Sequence, residues 1–216
     1  MNASNPGTPA HQQVYDALRR KMLFGELAPG TAVTILGIAK DLNAGMTPVR
    51  EALRRLVAAG ALELQGNRRV SVPVLSAPAI DEIDHVRQAV EPELARRACL
   101  RVTPSDIARL RQIDLALDHA LAAGDIGGYL GQNYRFHAAL YADADAPILA
   151  SITDRLWLRF GPSMRVICGR LGTAQLPDHH KAILDALAAR DPHGTAQAMQ
   201  ADIAQGTQHL RAALDT

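Results

Sequence analysis

Apolar residues recur at helical spacing from Ala10 onward: Val14, Leu18 and Met22 lie four apart, with Tyr15 beside them. That period puts them on one face of an α-helix. The pattern stops at Gly25, and Pro29-Gly30 marks a turn. Ile35, Ile38, Ala39 and Leu42 predict a short second helix, with Thr34 placed to cap it. Val49, Leu53, Leu56 and Val57 form the apolar stripe of a third. Thr47 suits its N-cap, Pro48 its first residue and Gly60 its end. The spacing then changes from about 3.6 to 2. Ala61-Leu62-Glu63-Leu64 and Val70-Ser71-Val72 alternate around a polar, basic tip, Gln65 to Arg69, which predicts a β-hairpin.

Pro73 and Pro78 flank a short linker, after which the pattern is helical to the end. Breaks at Thr103-Pro104, Gly124-Asp125, Ala146-Pro147, Gly172 to Pro177 and Asp191-Pro192 predict helices over 79–101, 104–123, 125–142, 147–170, 177–190 and 192–214. Six helices with short connections suggest an antiparallel bundle. The fold class is therefore mainly α: an N-terminal winged helix-turn-helix with a small β-hairpin, then a C-terminal all-α six-helix antiparallel bundle. Residues 1–9 read as a disordered arm, 10–75 as the winged helix-turn-helix domain and 76–216 as an all-helical domain.

Composition agrees with that layout. Hydrophobic residues make up 48% of the 216, enough to bury a sizeable core, and aromatics only 4%. The longest apolar runs are too short to span a membrane, and the N-terminus lacks a basic segment followed by an apolar one. The expected compartment is the cytoplasm. Cys99 and Cys168 read as buried thiols rather than a bridge. Net charge is only +1, but residues 1–76 carry nine Lys/Arg against five Asp/Glu, while the remainder carries fourteen against seventeen. A basic first third suits contact with a polyanion, although an ordinary solvated surface can show the same partition.

A major groove admits one α-helix, whose N-terminal residues face the base edges. Here the candidates are Thr47 and Arg50 with Arg54 one turn later, and Asn67, Arg68 and Arg69 at the hairpin tip. From Gly25 to Leu62 the chain resembles the GntR-type winged helix-turn-helix regulators, above all in Thr47-Pro48-Val49-Arg50-Glu51-Ala52-Leu53-Arg54-Arg55-Leu56. The resemblance implies a DNA-binding transcription factor, a homodimer on a palindromic operator of double-stranded DNA. Three departures stand out. Gly45-Met46 replaces a Ser-Arg pair whose Arg reads a base in the family, Arg69 stands near a usual wing Gly, and Leu36 replaces a basic contact found in some members.

In the C-terminal part, Asn133 and His137 lie four apart on one helix face, with His180 and Asp202 on later helices. Two imidazoles plus oxygen donors suit Zn, Ni or Mn, although isolated histidines on helices are more often surface or hydrogen-bonded core residues. Residues 78–213 resemble the FCD effector domain, the subgroup that includes fatty-acid-, vanillate- and sugar-acid-responsive regulators. The resemblance implies a small carboxylate effector and a divalent metal held by one Asp and three His. Here Asn133 takes the place of the Asp and Asp202 that of the third His, so the implied metal set is Asn133, His137, His180 and Asp202. His179 and His209 are possible substitutes. The implied effector contacts are Arg87, Asn133, His137 and His180. Arg87 has two readings, a bidentate grip on a carboxylate or an ion pair with Glu91 one turn on. The leading function is a ligand-responsive repressor that is not an enzyme. The alternative is a small metal-dependent hydrolase or lyase with a DNA-like interaction head; no Ser/His/Asp arrangement or second metal set supports it.

Overall fold

The computed structural model describes residues 8–66, 69–171 and 179–214. The head contains α1 (Ala10–Leu23), β1 (Ala32–Val33), α2 (Ile35–Asp41), α3 (Met46–Ala58), β2 (Glu63–Gln65) and β3 (Arg69–Ser71). Thr34 caps α2 as its position predicts, accepting a hydrogen bond from the Gly37 N–H. The hairpin of β2 and β3 is present, and β1 adds a third antiparallel strand, giving the order β1-β3-β2. Two residues carry no readable alternation, so β1 exists only through its pairing with Val70 and Ser71 of β3.

The start of α3 corrects the expectation at Thr47. The helix begins at Met46, Gly45 occupies the N-cap in extended conformation, and no side chain caps it. Pro48 is tolerated two residues later because the first-turn N–H groups have no intrahelical acceptor in any case. Thr47, freed from capping, is exposed.

Among the described residues six helices follow: α4 (Ala77–Cys99), α5 (Pro104–Ala122), α6 (Ile126–Ala142), α7 (Pro147–Leu171), α8 (His180–Ala188) and α9 (Pro192–Leu214). Ser76 caps α4 by accepting from the Ala79 N–H, so Pro78 belongs to the first turn rather than to a linker. Prolines 92 and 162 sit inside α4 and α7 without ending them. Expected helix 177–190 is described only from His179 onward, and the arm's residues 1–7 lie outside the described residues. Cys99 and Cys168 are buried free thiols, as expected.

Two apolar clusters build the interior. One contains Leu94, Leu110, Phe136, Leu140, Ile183, Leu187 and Met199, all from the bundle. The other joins head and bundle: Leu18, Met22, Val49 and Leu56 pack in one cluster with Leu130, Trp157, Leu158 and Phe160. At the junction Gly25 turns the chain with φ +70, and a Cβ there would lie 2.8 Å from Arg165 Cβ and 2.9 Å from Leu130 Cδ1. Only glycine meets both conditions.

Candidate nucleic-acid interface and effector cavity

The head presents one groove walled by α3, the start of α2 and the hairpin. Arg50, Arg54 and Arg69 line it together with Thr34, Leu53 and Leu64. The groove therefore brings together three of the predicted DNA-contacting arginines, and Thr47 is exposed on the same helix. Asn67 and Arg68 lie outside the described residues. Arg54 is not a free cation: its Nη2 and Nε donate to Glu51 at 2.8 and 3.1 Å. Arg55 faces the other way, donating to Gln12 Oε1 at 2.8 Å and stacking over Tyr15.

The second site is a cavity among α4, α6, α7 and α9. Arg87, Asn133, His137, Trp157, Asp202 and His209 are among its walls. Of the predicted metal ligands, His137, His180 and Asp202 converge, with ligand atoms all within 4.8 Å of one another. His137 Nε2 lies 3.3 Å from both Asp202 Oδ2 and His180 Nε2. Asn133 shares the cavity wall one turn before His137. His209 lines the cavity too, whereas His179 precedes the first residue of α8.

The groups behind the imidazoles fix what those nitrogens offer. Tyr141 has one hydroxyl hydrogen, and its 2.6 Å contact gives that hydrogen to Glu91. The 2.9 Å contact between Tyr141 and His137 therefore requires His137 Nδ1 to donate. Likewise His180 Nδ1 faces the buried Asp114 carboxylate at 3.3 Å. Both rings, when neutral, turn a lone pair at Nε2 toward the shared point, beside the Asp202 carboxylate. Three acceptors meeting there repel one another unless a proton or a cation lies among them. Placement inside the bundle works against the charge on Asp202, but once the imidazoles carry the shared proton and His137 donates to it, His137, His180 and Arg87 outweigh burial and hold the carboxyl well below its ordinary range. Two nitrogens, a carboxylate and orienting partners on both imidazoles fit a divalent transition metal.

Of the two readings of Arg87, the structure shows the ion pair with Glu91. Its Nε and Nη2 donate to Glu91 at 2.7 and 3.2 Å, with both side chains almost fully buried. Burial opposes the guanidinium charge, yet Glu91 more than compensates and keeps it protonated. The same guanidinium lies 4.1 Å above the Phe160 ring and walls the cavity. Sequence reasoning missed Asp114, Tyr141 and Trp157. Tyr141 carried a usable signal, four residues after His137. Asp114, on another helix, carried none. Trp157 is buried against His137, ring centroids 5.0 Å apart, and its indole N–H has no acceptor among the described residues.

A connection leads from this cavity to the head. Trp157 packs edge-on against Tyr134 at 5.6 Å. The Tyr134 hydroxyl accepts from Arg19 of α1 and donates to Asp154 at 2.9 Å, and Arg19 also pairs with Asp154. Burial and the Asp154 charge push the Tyr134 phenol up to about 12.

Residues 10–72 match the family described as bacterial regulatory proteins, gntR family, and residues 82–205 match the FCD domain. The chain is 32% identical over 199 residues to the HTH-type transcriptional regulator McbR of Escherichia coli K12, covering 89% of this chain and 90% of that protein. It is 27% identical over 208 residues to the HTH-type transcriptional repressor RspR of the same strain, covering 96% and 88%. The solved structure of E. coli McbR/YncC superimposes with a TM-score of 0.89 at 29% identity, covering 95% of this chain and 98% of that one. A GntR regulator from Rhodococcus sp. RHA1 shares the fold, with a TM-score of 0.78 at 22% identity over 95% and 99%. The chain belongs to the GntR family and carries an FCD domain. It is a DNA-binding transcriptional regulator and not an enzyme, and the hydrolase or lyase reading finds no support among these relatives. No helix among the described residues is long and apolar enough to cross a membrane.

Proposed function

We propose that this regulator is a cytoplasmic homodimeric repressor whose residues 10–75 dock on a palindromic operator and whose residues 76–216 sense a small carboxylate. In this reading α3 enters the major groove with Thr47 and Arg50 toward the bases, while Arg54 and the hairpin residues Asn67, Arg68 and Arg69 approach the backbone. The groove lined by Arg50, Arg54 and Arg69 supports that docking.

The observation that carries the sensing half is the convergence of His137, His180 and Asp202 at a cavity lined also by Arg87 and by Trp157, whose buried indole N–H has no acceptor among the described residues. His137, His180 and Asp202 would hold Zn, Ni or Mn, with Asn133 as a further oxygen donor. A bound metal would supply a positive centre for a carboxylate. Arg87 keeps Nη1 outside its two bonds to Glu91, and Trp157 offers a donor; both suit an acceptor oxygen of the effector. An effector changes DNA affinity only by binding one head arrangement better than another. The contact chain Trp157–Tyr134–Arg19 is the route by which cavity occupancy would bias α1.

The test has two arms. Selection from random DNA with the full chain should return a palindromic consensus whose binding Arg50→Ala weakens. Thermal unfolding of the chelator-treated protein should shift upward on adding Zn, Ni or Mn. Absence of a consensus would overturn the docking, and a melting temperature indifferent to all three metals would overturn the metal site.

A further inference from the structure

Met46, Arg50 and Arg54 lie four residues apart along α3 and form one exposed stripe. The stripe changes chemistry along its length. Arg54, farthest from the helix start, is neutralised by Glu51. Arg50 in the middle has no paired carboxylate among the described residues. Met46, at the first position, is a large apolar side chain with 51% of its surface exposed.

We propose that Met46 is a specificity-determining residue that reads a thymine through its 5-methyl group. The inference rests on the docking of α3 proposed above. That docking points the first turn of the helix at base edges, and Met46 leads the stripe into the groove. A thioether side chain donates no hydrogen bond, so it cannot read guanine or adenine by their acceptors. The apolar feature that the major groove offers is the thymine methyl. An unbranched, polarisable chain with three rotatable bonds adapts to such a target at little steric cost. Arg50, one turn later on the same face, would set the register by contacting the neighbouring base or phosphate. The operator half-site should therefore contain a thymine next to the position governed by Arg50.

The experiment replaces each thymine of the selected operator by deoxyuridine, which removes the methyl group and leaves every hydrogen-bonding atom. For the wild-type chain, one thymine per half-site should respond with a loss of about fourfold, the worth of one methylene-sized group removed from water. Changing both half-sites should cost roughly fifteenfold. Met46→Ala should bind the thymine operator more weakly and be indifferent to deoxyuridine at that position, while Met46→Leu should keep the discrimination. Wild-type indifference to deoxyuridine at every thymine would overturn the proposal, as would Met46→Ala discriminating as well as wild type. If no consensus is selected and Arg50→Ala is neutral, the docking itself falls and this inference with it. A consensus that responds to Arg50→Ala but not to deoxyuridine leaves the docking intact and removes only the role of Met46.

Discussion

Glu91→Gln perturbs the site at its foundation. Glu91 is fully buried, pairs with Arg87 at 2.7 Å and accepts the Tyr141 hydroxyl at 2.6 Å. The substitution keeps volume and an acceptor for Tyr141 but leaves the Arg87 charge inside the bundle uncompensated. Removing one partner of a buried pair costs about 3–5 kcal/mol. At roughly 2–4 °C per kcal/mol for a chain of this size, the melting temperature should fall by roughly 6–20 °C. The assay is circular-dichroism melting in chelator at fixed protein concentration, so that neither metal nor association masks the effect. A control separates lost attraction from stranded charge. The double change Arg87→Met, Glu91→Gln removes both charges, keeps an acceptor for the Tyr141 hydroxyl and should recover most of the loss, because no unpaired charge is then left inside. A drop of under about 2 °C for Glu91→Gln, or a double variant no more stable than the single, would refute the view that Arg87 is held by Glu91 in a dry environment.

Other outcomes follow from the same geometry. Arg50→Ala should cost about 1–3 kcal/mol of operator binding with altered base preference, whereas Arg69→Ala should weaken all sequences evenly and lower the salt slope by about 1; gel shifts across a salt series check both. The double change His137→Ala, His180→Ala should abolish metal-dependent thermal stabilisation and spare operator binding, while Asn133→Asp with Asp202→His should tighten metal binding by adding a charged oxygen and a third nitrogen. Metal affinity measured by competition with a chelator should fall as pH drops through the histidine range, since protonated imidazole cannot ligate. The Tyr134 phenol is raised from 10.0 to about 12, so its stabilisation is intact below the unfolded value and lost as pH rises through that interval. A tyrosinate absorbance titration should accordingly lose one late-ionising component in Tyr134→Phe, while Tyr141, raised by its burial and by Glu91, still ionises late.

Local order was legible in the chain because helices and hairpins are specified by neighbours in sequence. The Val14-Leu18-Met22 spacing, the Thr34 cap, the glycine ends and the hairpin alternation each act within a few residues, and each appears where the pattern put it. The candidate ligands His137, His180 and Asp202 were likewise legible by residue type, through a resemblance to related regulators. What the sequence could not supply was anything that depends on residues brought together from afar. The strand β1 needs β3, which lies nearly forty positions away. The tautomers of His137 and His180 depend on Glu91 of α4 and Asp114 of α5, across separations of 46 and 66 residues. Arg87 looked like either an ion-pair partner or an anion grip, and only the packing of α4 against α7 and α9 buried it in an ion pair with Glu91 at the cavity wall. Hydrophobic periodicity is a property of one element and survives in the linear chain; the charge balance of a buried site is a property of several elements together and comes into being only when they pack.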